Sequence, residues 1–162
     1  SFIIDVMEKV VSKNPLAHLL IFGDGTEQEI NFVKCLKMQS KVAGNIHIYK
    51  HRDISDLLPQ TDVLVVPSQE YESFGYTALE GMYSKIPVVV TNVGGLPEVV
   101  EDNMCGYVIN QNDVQGFSDS VVRLLKNKEL REFMGNNGYN RSKTYFTSER
   151  MSKDYLNIIK KK

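Results

Sequence analysis

An α/β domain with a mostly parallel sheet is the fold class this sequence predicts, and three observations predict it. Helical and strand signals alternate along the chain with short connections between them. Two segments, residues 62–67 and 86–91, are almost continuously apolar, as in strands covered on both faces. At 162 residues with no internal repeat, the chain has the length of one domain with a full core.

Taken in order, Ile3, Val6, Met7 and Val10 make a helical stripe that Asn14-Pro15 stops. Residues 16–22 read as a buried strand, and Gly23-Asp24-Gly25 turns the chain. Thr26 with Glu29 three positions on is a capping-box signal for a helix running to about Gln39. A second strand is expected over 45–49, a short helical segment over 54–58 and the apolar strand over 62–67. A helix starts near Gly75, and the next apolar strand covers 86–91. Gly94-Gly95-Leu96-Pro97-Glu98 opens a short helix, with Pro97 suited to its first turn. After a strand over 106–109, Asn112 or Asp113 can cap a helix carrying Phe117, Val121, Leu124 and Leu125. A second helical segment carries Leu130, Phe133 and Met134. The last helix shows Met151, Tyr155, Ile158 and Ile159 as an apolar stripe that needs a partner.

The most informative segment is the passage from the 63–68 strand into the helix. Ser73-Phe74-Gly75 forms its corner, with Glu72 before and Glu80 after. A helix starting there leaves its first amides unpaired and its positive dipole end outward, which favours an anion. Gly75 offers backbone without a side chain at the point of closest approach. Leu79, Met82 and Tyr83 fall on one helix face, expected to be core, and Thr77, Glu80, Gly81 and Ser84 on a small polar one. Glu80 lies roughly 7.5 Å along the helix axis from Gly75, within reach of a group attached to a bound phosphate. A carboxylate accepts hydrogen bonds from two hydroxyls at once, so the pair suits a ligand with sugar rings on both sides of a phosphate.

Composition excludes several other functions. With 19 basic and 20 acidic residues the formal charge is −1, which implies no general affinity for nucleic acid or anionic membrane. No apolar run approaches membrane-spanning length, and the first residues carry no signal-peptide pattern. Cys35 and Cys105 lack metal or redox spacing and are expected to be reduced core thiols of a cytoplasmic protein. His47 and His51 are four apart, but Ile46-His47-Ile48 reads as strand, where that spacing does not converge on a metal. The terminal Lys160-Lys161-Lys162 run offers anionic lipid about 1 kcal/mol per charge, so a peripheral membrane contact stands beside the simpler reading of a solvated terminus.

The motifs taken together carry a resemblance. Pro67-Ser68, Glu72-Ser73-Phe74-Gly75, Glu80, Pro87-Val88-Val89, Gly94-Gly95-Leu96-Pro97-Glu98 and Gly106-Tyr107 appear in the order and spacing of the C-terminal domain of the family 4 retaining glycosyltransferases. Gly23-Asp24-Gly25 and the helical ending match it too, so the resemblance spans essentially residues 1–162. It implies a Rossmann-like three-layer α/β/α domain with a parallel sheet, one half of a GT-B fold that binds a nucleotide-sugar donor. The reaction implied is transfer of a hexosyl group from a nucleoside diphosphate sugar to an acceptor hydroxyl with retention, using no metal or other cofactor.

Carried over residue by residue, Glu72 is the catalytic candidate and holds donor-sugar hydroxyls. Ser73, Phe74, Gly75, Tyr76 and Thr77 meet the sugar and diphosphate, and Glu80 holds the ribose. Gly23, His51 and Arg52 correspond to the base-contacting region, although Lys50 stands where the family often has Gly. Lys85 likewise replaces a frequent Gly, and Gly81 a frequent Ala. Family members begin this domain with a further strand and with Gly-Arg and Lys-Gly pairs that neutralise the diphosphate. The expectation is therefore a truncated donor domain, separated from its acceptor domain, inactive alone and weak in nucleotide binding. The acceptor, glycan or lipid, stays open. The alternative is a non-catalytic transferase-like subunit that binds a nucleotide sugar or a partner chain; an epimerase of the same fold is a third reading.

Overall fold

The computed structural model describes residues 2–51, 53 and 57–160. Helix α1 (Phe2–Lys13) is followed by β1 (Leu19–Phe22), α2 (Glu27–Gln39), β2 (Ile46–Tyr49), β3 (Leu64–Val66), α3 (Tyr76–Tyr83), β4 (Val88–Thr91) and α4 (Leu96–Val99). Strand β5 (Gly106–Ile109) and helices α5 (Val114–Lys126), α6 (Lys128–Tyr145) and α7 (Ser148–Lys160) complete the order. Pairing is parallel throughout the described residues: β1 with β2, and β3 with β4 with β5.

Strand β4 is buried along its whole length and divides the core in two. Val88 and Val90 pack with Ala78 and Met82 of α3 and with Leu96 and Val99 of α4. Val89, with Tyr107 of β5, packs on the other side against α1 and α5. Because strand side chains alternate, this split puts helices on both faces of the sheet, the expected α/β/α layering.

The local signals behave as their chemistry requires. Thr26 Oγ1 accepts from the Glu29 N–H at 3.3 Å, and Glu29 Oε2 accepts from the Thr26 N–H at 2.8 Å. The Thr26 hydroxyl and then its amide hold the Glu29 carboxyl below the usual carboxylate range. Asp113 caps α5 by accepting from the Gly116 N–H at 2.7 Å, and Pro97 sits in the first turn of α4.

Several expectations fail, each for a packing reason. The 16–22 strand starts only at Leu19: Leu16 is 86% exposed in the turn closed by the Ala17 N–H on the Asn14 carbonyl, and Leu20 faces outward on β1. Tyr83 is not core but lies against Tyr139 of α6, ring centroids 5.7 Å apart, whereas Gly81 is buried. A Cβ at Gly81 would meet Leu64 Cδ2 at 2.5 Å and Val88 Cγ1 at 3.1 Å, so the small face of α3 is what rests on the sheet. Phe133 is likewise exposed, because α6 packs through Met134, Gly135, Gly138 and Ser142. Of the helical segment expected over 54–58, residues 54–56 lie outside the described residues, and Leu58–Gln60 form one 3-10 turn.

Met151, Tyr155, Ile158 and Ile159 of α7 are each more than half exposed, with Leu156 beside them. Among the described residues no helix is long and apolar enough to cross a membrane. Cys105 is buried, and burial pushes its thiol up, but Cys35 is exposed on α2, a helix with no buried residue. An excess of a thiol reagent is therefore expected to label Cys35 in the native protein and Cys105 only on unfolding. Equal native labelling of both, read by mass spectrometry of peptides, would contradict this placement.

Candidate functional site

The site is built where β3 and β4 end. Beyond Val66, the Thr91 hydroxyl donates to the Ser68 carbonyl, fixing the loop to the end of β4. Gln69 ties the same loop to the segment after β5: its Oε1 accepts from the Asn112 N–H at 2.8 Å, and its carbonyl accepts from the Gln111 side chain. Glu72 is half-buried, and the Ser68 hydroxyl donates to its Oε2 at 3.3 Å. The Glu72 backbone lies directly on the turn before α4, with the Gly95 N–H donating to its carbonyl at 3.1 Å.

That turn leaves no room for side chains. A Cβ on Gly94 would stand 1.8 Å from the Glu72 carbonyl oxygen, and one on Gly95 2.7 Å from that of Ser73. Gly75 itself has φ +94°, a left-handed conformation in which an L side chain is strained, and its Cβ would meet Leu96 Cδ2 at 2.8 Å. Helix α3 starts at the next residue, and Gly75 provides no side-chain cap. The first α3 amides, at Tyr76, Thr77 and Ala78, therefore have no intrahelical carbonyl to pair with.

The two carboxylates open into separate clefts. Glu72 lines one of about 380 Å³ with Tyr71, Ser73, Phe74, Gly94 and Glu98. Glu80, exposed on α3, lines a second of about 390 Å³ with Asp53, Leu58, Tyr76, Leu79 and Tyr83. Phe146, from the α6–α7 connection, lines both. Its ring meets Phe74 edge-on at 5.9 Å, and Phe74 lies 4.8 Å from Tyr76, so an aromatic wall separates the clefts.

Gly23 and His51 come together at the ends of β1 and β2. The Gly23 N–H donates to the Tyr49 carbonyl at 3.3 Å, and the His51 N–H to Asp24 Oδ1 at 3.2 Å. Arg52 lies outside the described residues. Asp53, two positions after His51, brings this loop to the Glu80 cleft. Sequence reasoning missed Asp53, Gln69 and Phe146; for Phe146, more than sixty residues from Glu80, no local signal exists. Among the described residues no three His, Cys, Asp or Glu side chains converge as a metal site. His47 faces His18, Nε2 to Nδ1 at 3.0 Å, and not His51.

Gly94→Ala should displace the Glu72–Ser73 backbone, since the obstructing atom is a main-chain carbonyl and Gly94 has φ +53°. The expected outcome is a loss of about 1–3 kcal/mol in urea unfolding, with amide shifts concentrated at residues 72–75. A substitution without effect on those amides would refute the close packing.

A family model described as "Glycosyl transferases group 1" matches residues 1–141. The chain is 32% identical over 158 residues to N-acetyl-alpha-D-glucosaminyl L-malate synthase of Bacillus anthracis, covering 96% of this chain and 40% of that protein. It is 30% identical over 166 residues to trehalose synthase of Thermococcus litoralis, covering 97% of this chain and again 40% of the relative. The chain thus spans about two fifths of the length of these relatives. Among solved structures, the C-terminal domain of the group 1 glycosyl transferase LpcC from Francisella tularensis superposes with a TM-score of 0.79 at 27% identity, covering 91% of this chain and 78% of that one. The Anabaena protein HepE, solved in complex with UDP, shares the fold at a TM-score of 0.88 and 18% identity, covering 99% of this chain and 44% of that one. With the family model matched over residues 1–141, most of its length, the chain belongs to the glycosyl transferases group 1 family.

Proposed function

We propose that the chain is the donor-binding, C-terminal domain of a retaining hexosyltransferase, and that it holds a nucleoside diphosphate sugar across the aromatic wall between its two clefts. The observation that carries this reading is the position of the α3 start between the Glu72 cleft and the Glu80 cleft. The diphosphate sits at the amides of Tyr76 and Thr77, beside Ser73, Phe74 and Gly75. The sugar lies on the Glu72 side and the ribose on the Glu80 side, with the base toward Gly23 and His51; Arg52, outside the described residues, is kept as a base-binding candidate from the sequence alone. Resemblance to HepE, whose structure holds UDP, supports a nucleotide ligand for the fold.

The chemistry follows from charge. As the glycosidic bond to the diphosphate breaks, negative charge grows on the departing oxygen. Amides already aimed outward at a helix start stabilise that charge more in the transition state than in the ground state. Glu72, steadied by the Ser68 hydroxyl, orients the sugar through its ring hydroxyls and is a positioning group more than a nucleophile. The acceptor molecule, whose hydroxyl receives the hexosyl group as the diphosphate leaves, is held by a second domain of the full-length enzyme. Two free cysteines, one of them exposed, favour a reducing cytoplasmic setting. A peripheral membrane contact through the Lys160-Lys161-Lys162 run stays part of the proposal; Lys161 and Lys162 lie outside the described residues.

An amide NMR titration of the chain with uridine, guanosine and adenosine diphosphates tests the donor site. The expected result is shifts at residues 75–77 for one base, weakened in Glu80→Ala; no shifts for any base up to tens of millimolar would overturn the reading. In the full-length enzyme Glu72→Ala should lower turnover more than donor affinity, and Glu80→Ala the reverse, by steady-state kinetics. Equal losses of both kinds in both variants would remove the division of roles.

A further inference from the structure

Helix α4 has four residues, so its closing carbonyls lack intrahelical donors. Arg141 of α6 supplies them. Its Nε donates to the Val99 carbonyl and its Nη2 to the Glu98 carbonyl, both at 2.9 Å, while Nη1 pairs with Glu101 Oε2 at 3.2 Å. All three guanidinium nitrogens are used, in a rigid fork that a lysine does not reproduce. The same guanidinium lies 5.3 Å from the Tyr145 ring centroid and 5.8 Å from that of Phe146.

Both ends of this contact lead to the donor corner. The N-terminal side of α4 is the turn whose Gly95 N–H holds the Glu72 carbonyl, and Leu96, its first residue, packs against Gly75. Phe146 packs edge-on against Phe74 and lines both clefts. We propose that Arg141 is a positioning residue for the donor site: by clamping the far end of α4 and backing Phe146, it sets the Glu72–Gly75 backbone without touching a ligand. For its ligand this inference rests on the donor reading above; for the loop it stands on the packing alone.

A matched control exists within the same helix. Arg131 closes α5 in the same manner, its Nη1 donating to the Leu124 and Leu125 carbonyls at 2.8 and 2.9 Å and its Nη2 pairing with Asp62 at 3.0 Å. None of these partners lines either cleft. Arg141→Gln and Arg131→Gln should therefore cost similar stability in urea, while only the former moves the amides of residues 72–75 and 94–95 in the ligand-free protein. Arg141→Gln should also weaken UDP binding by about two- to thirtyfold, the range of coupling through packed contacts, with UDP affinity unchanged in Arg131→Gln. Arg141→Lys, which keeps the charge beside Glu101 but loses the fork, serves if the Gln variant does not fold, and it should show the same amide shifts. Unmoved amides at 72–75 in a folded Arg141 variant, or equal affinity losses from both arginines, would overturn the proposal. If the unmodified chain binds no UDP, GDP or ADP, the donor reading fails, and the ligand-free shifts still decide whether Arg141 sets the loop.

Discussion

The structure of the site depends on one backbone contact, the hydrogen bond from the Gly95 N–H to the Glu72 carbonyl across a turn with no side chain in the way. It joins the loop after β3 to the loop after β4 at a separation only glycine allows. Once that distance is set, Gly75 is pressed against Leu96, α3 must begin immediately afterwards, and its first amides face the space between the clefts. A bulkier turn would tilt the whole corner away from α4.

Parallel strands make this convergence possible. In β3, β4 and β5 the C-terminal ends lie together, so the loops at 67–75, 92–95 and 110–112 meet at one edge. Thr91, Gln69 and Gln111 then bind those loops to one another with side-chain hydrogen bonds to backbone groups. Such bonds leave the Glu72 and Glu80 carboxylates, the chemically distinctive groups, turned toward open space. The corner is thus held together largely through main chain, with the first amides of α3 and the two carboxylates left facing the clefts.

Features governed by neighbouring residues were legible in the sequence. The Thr26–Glu29 box, the Asp113 cap and Pro97 in a first turn each depend on atoms within four residues. At Lys85 the backbone has φ +61°, a left-handed conformation that favours the Gly expected there from the resemblance, and nothing in the backbone geometry explains the Lys. Legibility stopped where a partner distant in sequence decides the outcome. Helical spacing assigned Tyr83 to the core and Gly81 to the surface, but Leu64 and Val88 reverse that order by packing directly on Gly81. Periodicity identifies an apolar stripe without saying which side another element will cover, so Phe133 ends exposed beside buried Met134, and Cys35, expected in the core, lies on a helix with no buried residue. Phe146 and Asp53 became site residues only through the fold.

Among the glycines packed against other elements, two kinds of obstacle have different evolutionary consequences. A side chain at Gly81 would strike Leu64 and one at Gly138 would strike Met82, and either neighbour could be trimmed by a second substitution. At Gly94, Gly106 and Gly135 the obstacle is the carbonyl oxygen of Glu72, Val88 or Lys85. Every amino acid carries that oxygen, so changing the opposing residue gives no relief. Sequence drift can renegotiate the first kind by paired replacements, whereas the second kind has no suppressor at its own contact and restricts each of those sites to a single amino acid.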